Sequence, residues 1–425
     1  MTTAEFLPTI TVGGKEIPST SPPRGLVLRE GLGILAHESV DGTLVHRAEG
    51  SLFECRATKT PSGDYLVIFP TDTEGRDPAS VGNAHYGRKG EKVNDLVAYR
   101  SPDGGATWSG PVVAFDIDYN QHGFIPLIPR GSTRIYAFGT QPIWGMFSME
   151  RGLHENAPIG YRYSDDDGHS WSEVRLIRPV NDPGYLGMSV MRMCETDAGT
   201  WLLGTHEGDW SYRPLMTRAY VLRSEDQGKS WELLPEPRHG GFYVPGFNRM
   251  DEPRPINLGN GHVLLMIRTA EGRLWQSWSE DDGRSWSEPE PSSLVHPDAP
   301  PMVFHLSDGE TLIAFHHNRH HDLDYSGLRS TKPESMKDRS EIWFSLSTNG
   351  GRVWSGPRFV FANALTETLE SPFRDHQCSY MDVLTDDGVL NLFVPHRWQR
   401  VLHLRVQESN LASMPSAEDL RSGHR

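Results

Sequence analysis

The sequence predicts an all-β protein, a six-bladed β-propeller of four-stranded antiparallel blades. Two observations carry that prediction. Five copies of one short motif punctuate the chain: SPDGGATW from Ser101, SDDDGHSW from Ser164, SEDQGKSW from Ser224, SEDDGRSW from Ser279 and STNGGRVW from Ser347. Their starts lie 63, 60, 55 and 68 residues apart, a period that marks an array of small supersecondary units. Each copy also follows short runs of alternating polarity separated by Gly-rich turns, the pattern of strands in a meander.

Within the motif, S-x-D-x-G-x-(S/T)-W, every residue type has a mechanical use. The Asp and Ser/Thr side chains hydrogen-bond the backbone of a tight turn, the Gly takes a positive φ, and the Trp plugs the apolar layer beneath. The last copy has Asn349 for the Asp and Val353 for the Ser/Thr, so its turn is expected to be weaker.

The fourth unit sets the template. EPRPINL (252–258) reads as a strand, the Asn-Gly pair at 260–261 as a hairpin turn, and HVLLMIR (262–268) as the return strand. RLWQSWS (273–279) follows and leads into the motif, after which a short outer strand is expected. The first unit repeats this as LFECRAT, YLVIFP, a long insertion and DLVAYRS, and the fifth as PMVFHL, TLIAFHH, a second insertion and EIWFSLS. FIPLIP, RIYAFG and IGYRYS form the second unit; LGMSVMRM, TWLLGTH and AYVLRS form the third. A sixth unit, SYMDVL, VLNLFVPHR and VLHLRVQ, lacks its outer strand, which either GLVLRE or LVHRAE near the N-terminus can supply to close the ring. The domain reading is therefore an N-terminal closing segment over 1–50, a propeller over 51–408 and a polar, frayed tail over 409–425.

Composition narrows the function classes. The 425-residue chain carries a net charge of −15, which argues against nucleic acid and anionic membranes as partners. No basic start followed by an apolar run opens the sequence, and no stretch approaches the roughly 18 apolar residues of a membrane span. Cys55, Cys194 and Cys378 are odd in number and share no metal-ligand spacing, which reads as three reduced thiols and a cytoplasmic home. The sequence implies no cofactor and leaves the oligomeric state open.

Strand direction alone predicts a site. First-strand starts, second-strand ends and third-strand starts share one face, and every motif lies on the other. The first set brings Glu54, His122, Glu252 and Tyr380; the second brings Asp72, Glu74, Gln141, His206, Glu207, Arg268, His316, His317, Asn318 and Arg397; Arg339 precedes a third strand. Ionisable side chains thus converge on one mouth of the axis.

The motif resembles the Asp-box of the sialidase superfamily, and three positions resemble that family's active site. There a Glu opens a first strand and an Arg closes the next; here Glu252 heads EPRPINLGNGHVLLMIR and Arg268 ends it. The family's nucleophilic tyrosine lies in a late stretch that CSYMDVLTDDGVLNLFVPHR resembles, which indicates Tyr380, and Arg339 occupies the place of a further family arginine. The resemblance implies an exo-acting glycosidase with Tyr380 as nucleophile, Glu252 as its base and arginines gripping the carboxylate of a terminal acidic sugar on an oligosaccharide or glycoconjugate.

The chain departs from the family at its first blade. The place of the family's first-blade arginine holds Phe53, and Arg56 stands at an odd offset that turns it to the other face unless a bulge intervenes. The family's acid/base aspartate corresponds to Asp77, with Asp95 second. An inserted loop adds His85, and His85, His122, His206 and His316 join Arg56 and Arg397 as candidate substrate contacts. No H-x-E-x-H type spacing argues for a metal. Tyr/His chemistry beside an arginine also suits β-elimination on a uronate glycan, and a non-catalytic glycan-binding propeller is the third class.

Overall fold

In the fourth repeat Asn260 and Gly261, with φ of +53° and +79°, turn the chain from the strand Met250–Gly259 into His262–Thr269. Two consecutive positive φ values are the requirement of a two-residue hairpin, and Asn-Gly meets it at least cost. Arg273–Ser279 and Glu290–Val295 then complete an antiparallel sheet in chain order. This computed structural model describes residues 5–48, 52, 54–72, 94–115, 124–141, 156–209, 211–212, 215–244, 246, 248–318, 338–366 and 376–422.

The same meander recurs around a ring of six four-stranded antiparallel blades. Blade one comprises Arg56–Lys59, Tyr65–Asp72, Asn94–Ser101 and Ser109–Phe115. Blade two comprises Ile125–Leu127, Ile135–Thr140, Ile159–Ser164 and Arg175–Leu176. Blade three runs through Ser189–Glu195, Trp201–Asp209, Met216–Ser224 and Glu232–Leu234. Blade five runs through Met302–His305, Leu312–His316, Glu341–Ser347 and Arg358–Asn363.

The sixth blade contributes Asp382–Asp386, Val389–His396 and Arg400–Gln407, and its outer strand comes from the N-terminal side as Asp41–Arg47. Leu402 faces Leu44 and Leu404 faces Gly42 in that closing pair. LVHRAE is therefore the closing segment. GLVLRE instead forms Leu26–Arg29, the outermost strand of blade five, beyond Ile34–His37, which pairs with Arg358–Asn363.

The tail corrects an expectation. Residues up to Ser422 form a 3-10 turn, Glu408–Ser413, and a short helix, Ala417–Ser422, rather than a frayed end. Leu411, Met414 and Leu420 are buried, and Phe359 N–H donates to Pro415 O at 2.9 Å. Polar composition hid three apolar anchors spaced so that each meets blade five, blade six or the N-terminal hairpin.

The five boxes make one repeated bond set. In the first, Gly105 N–H donates to Ser101 Oγ at 2.7 Å, and Thr107 donates to Asp103 from its backbone at 2.8 Å and its hydroxyl at 2.6 Å. These bonds hold the Asp103 carboxyl down near 2. The last box keeps the two backbone bonds, Gly351 N–H to Ser347 Oγ and Val353 N–H to Asn349 Oδ1, but Val353 has no hydroxyl for the third. Box glycines are also contact points between blades. A Cβ on Gly283 would lie 2.6 Å from Leu202 of blade three, and one on Gly351 would lie 2.6 Å from Leu264 of blade four. Because Ser279 pairs with Val263 at one end of blade four while Asp251 pairs with Arg268 at the other, the box and Glu252 sit on opposite faces.

Candidate active site

The site begins with a backbone irregularity. Asp251 pairs with Arg268 and Arg254 with Met266, so the inner strand carries an extra residue between them. Glu252 falls in this bulge with φ +49°, a left-handed conformation that turns its side chain out of the strand's alternation. Its amide donates to His206 Nδ1 of blade three at 3.3 Å, which fixes the turn. Tyr380, just ahead of the sixth blade's first strand, has φ +64°.

These two residues meet at the mouth of the axis. Tyr380 Oη donates to Glu252 Oε1 at 2.7 Å, Arg268 Nη1 donates to Tyr380 Oη at 3.0 Å, and the same nitrogen donates to Glu252 Oε2 at 2.5 Å. Arg339 lays its guanidinium 5.7 Å from the centre of the Tyr380 ring. Glu252, Arg268 and Arg339 are buried, whereas Tyr380 keeps partial exposure. Four residues singled out in the sequence, from three blades, thus form one contact group.

Sequence reasoning missed the residues that aim the arginines. Asp298, in the loop from blade four to blade five, accepts Arg268 Nε on its carboxylate at 2.7 Å and Arg339 Nη2 on its backbone carbonyl at 2.5 Å. Asp251 lies 3.4 Å from Arg268 Nε and accepts Arg249 Nε at 2.9 Å. Gln377 stands 3.5 Å from Arg339 Nη1. The run HPDAPP at 296–301 carried one signal, an acid fixed between prolines just after an outer strand.

Arg56 takes a different place from a substrate contact. Its Nη1 donates to the backbone carbonyl of Tyr380 at 3.1 Å, and its Nη2 binds Glu54 at 2.5 Å. The guanidinium therefore braces the tyrosine from behind.

The two described candidate histidines, His206 and His316, bond to neighbouring strands. His206 shares its Nδ1 between Ser189 Oγ, at 2.9 Å, and the Glu252 amide. His316 bonds Val295 O at 3.2 Å and Ser345 Oγ at 3.1 Å through its two nitrogens, and is fully packed between strands. Arg397 is buried, donates its backbone N–H to Gln377 O at 2.6 Å and so stands behind Arg339's partner. Asp77, His85, His122 and Phe53 lie outside the described residues, as do the side chains of Asp72 and Asp95. Among the described residues no group of three or more His, Cys, Asp or Glu is arranged to hold a metal ion.

Electrostatics favour the neutral form of the Tyr380 phenol. Burial and the Glu252 charge raise Tyr380 above its ordinary value of 10, with Arg268 and Arg339 pulling the other way. Burial opposes the charge on Arg268, but Glu252, Tyr380 and Asp251 together outweigh it and hold that guanidinium protonated. Arg339 is pushed down to about 10, chiefly by burial and then by the neighbouring Arg268. Arg339 is thus the less compensated of the two guanidinium groups beside Tyr380.

A six-bladed propeller with inter-blade boxes and a Tyr–Glu–Arg group on the face opposite them defines a class of architecture. The family model described as BNR repeat-like domain matches residues 88–392, and the chain belongs to that family within the sialidase superfamily. A sialidase of Bacteroides fragilis (strain YCH46) is 21% identical over 376 residues, 81% of this chain, which spans 60% of that protein's length. A Dyadobacter fermentans protein of unknown function superposes with a TM-score of 0.60 at 16% identity, covering 87% of this chain and 99% of that one. The NanB sialidase of Streptococcus pneumoniae gives 0.57 at 12% identity over 87% and 71% of the two chains. Trypanosoma rangeli sialidase with the inhibitor DANA gives 0.54 at 13% over 87% and 57%. At these identities the likeness carries the fold.

Proposed function

We propose that this protein is an exo-acting glycoside hydrolase of sialidase type that releases a terminal acidic sugar from an oligosaccharide or glycoconjugate. The observation that supports this most is the Tyr380 hydroxyl, which donates to Glu252 at 2.7 Å while accepting from Arg268 at 3.0 Å. A phenol is a poor nucleophile at neutral pH unless a base takes its proton as it attacks. Glu252 is that base, and the Arg268 contact steadies the developing phenolate.

In the reaction, the Tyr380 oxygen bonds the anomeric carbon as the bond to the leaving-group oxygen breaks. The phenol proton passes to Glu252, and an acid, for which Asp77 is the candidate, protonates the departing alcohol. Water then displaces the tyrosine, giving up a proton to the acid residue, and Glu252 returns the proton to Tyr380. A neutral nucleophile avoids the repulsion a carboxylate would feel from an anionic sugar. Arg268 and Arg339 receive the sugar carboxylate.

A product assay on sialosides and uronate-capped oligosaccharides tests this. Free saturated acidic sugar, lost in Tyr380→Phe, is the expected result. An unsaturated uronate absorbing near the ultraviolet edge would replace hydrolysis with elimination, and glycan binding without product would leave a lectin-like propeller.

A further inference from the structure

A cavity of about 710 Å³ lies along the propeller axis. It lies between the inner strands of blades three to six, and neither Glu252, Arg268, Arg339 nor Tyr380 lines it. Its mouth is formed by Asp197, Gly259, Ser307, Gly309 and Thr385, at the ends of those strands and in the hairpins on the box face. This is a separate opening on the opposite side of the propeller.

The cavity is built around a buried cation. Arg254 is 8% exposed, and its guanidinium stacks 3.8 Å from the centre of the Phe304 ring. Among the described residues no hydrogen bond or ion pair holds it, and the Phe304 ring is its aromatic contact. Arg192, on the neighbouring inner strand, lies 5.6 Å from the same ring but is paired with Asp382. The acids near the mouth are also committed. Glu195 accepts from Trp201 Nε1 and the Arg130 amide, and Asp197 accepts from Asn257 and the Asn260 amide. Burial, then the charges of Arg192 and Arg56, push Arg254 well below its ordinary value.

A cation–π contact alone is a small return for burying a guanidinium, and a bound anion would supply the missing charge and acceptors. The volume far exceeds that of a lone ion and falls in the range of small-molecule sites. Its wall pairs apolar surface from Phe304, Val303 and Ile256 with the polar Asn257 and Ser307, the mixture that a hydroxylated ring uses. We propose that the axial cavity binds a small organic carboxylate of monosaccharide size, with the carboxylate on Arg254 and the body against Phe304, as a site separate from the Tyr380 group.

Arginine modification by phenylglyoxal, read residue by residue by peptide mass mapping, tests this on the unaltered protein. D-Glucuronate is the probe, with D-glucose and sulfate as controls. At ten times its Kd, glucuronate should slow modification of Arg254 by about tenfold, since about a tenth of the sites are then empty. Arg254→Gln should abolish one calorimetric binding event for glucuronate, and Arg254→Lys should restore part of it. Equal modification with and without glucuronate would overturn the site. Equal protection by glucose would remove the role of charge, and equal protection by sulfate would reduce it to an ion site without a sugar-sized ligand. None of these outcomes depends on whether the Tyr380 group hydrolyses glycosides.

Discussion

Glu252 and Tyr380 share a left-handed backbone, φ +49° and +64°, at the two points where their side chains meet at 2.7 Å. Non-glycine residues held there cost on the order of 1–3 kcal/mol each. The cost persists because each is fixed from outside: Glu252 by its bulge and the His206 contact, Tyr380 by Arg56 on its carbonyl. Strain on both members of the hydrogen-bonded pair is thus held in place by contacts from blades three and one.

Tyr380→Phe should therefore separate activity from folding. The ring and its backbone conformation stay, while the hydroxyl's bonds to Glu252 and Arg268 go. Leaving those groups short of one partner is worth about 1–3 kcal/mol of stability. Turnover on any cleaved acidic glycoside should fall to near background, and Glu252→Gln should lower kcat by about 10²–10⁴. Steady-state kinetics with denaturant unfolding on both variants checks this; wild-type kcat in Tyr380→Phe would remove the nucleophile assignment.

Arg56 supports Tyr380 without reaching the mouth. Arg56→Gln is expected to lower kcat by about 10–100-fold, the scale of a misplaced reacting group, with KM nearly unchanged. A rise in KM of the same size on acidic substrates alone would make Arg56 a substrate contact instead.

The propeller and the central group were legible because both are written in local patterns. Box spacing gave the repeat, the Asn260–Gly261 turn gave a register, and strand direction then assigned Glu252, Arg268 and Tyr380 to one face. Asp298 and Gln377 escaped because they act between blades, through loops whose course no periodicity records, and Asp251 because the bulge beside it breaks the strand's alternation. His316 departs from the sequence expectation for a related reason. A His at a strand end looks the same in sequence whether its nitrogens face a mouth or, as in His316, bond Val295 and Ser345 within the sheet. Nothing in a polar tail's composition announced that Leu411, Met414 and Leu420 would be buried.

Buried neutral histidines should set the acid limit of stability. Burial lowers both His316 and His403 from an ordinary 6.5 to about 4. A folded pKa below the unfolded one stabilises the fold above pH 6.5, and that contribution is lost as pH falls through about 4. The Tm should accordingly drop between pH 6.5 and 4, and His316→Gln should show a smaller drop over that window even though it is less stable at pH 7. Calorimetry across the range is decisive; an unchanged slope in the variant would mean His316 titrates normally.

The fifth box offers a repair. Val353 is 66% exposed, so restoring the consensus with Val353→Thr and Asn349→Asp loses little burial and adds a hydroxyl-to-carboxylate bond like that of Thr107 with Asp103. The double variant should gain about 0.5–1.5 kcal/mol, more than the two single changes summed, because each supplies one partner of the same bond. Urea unfolding of all four proteins in the cycle reads the coupling directly.

The two arginines should differ in what they contribute, because their protein partners differ. Arg268 is held by Glu252, Asp298 and Asp251, and its removal takes a charged partner from three buried carboxylates, so Arg268→Ala should cost about 3–5 kcal/mol of stability as well as activity. Arg339 bonds a backbone carbonyl and an amide, Asp298 O and Gln377 Oε1, and is the guanidinium burial has pushed down to about 10. A substrate carboxylate would reverse that push. Arg339→Gln should therefore lower kcat/KM by about 2–5 kcal/mol on a carboxylated substrate, leave its amide analogue nearly unaffected and change stability little. Measured side by side, equal losses on acid and amide would make Arg339 structural, and the proposal of an acidic sugar would lose its main electrostatic support.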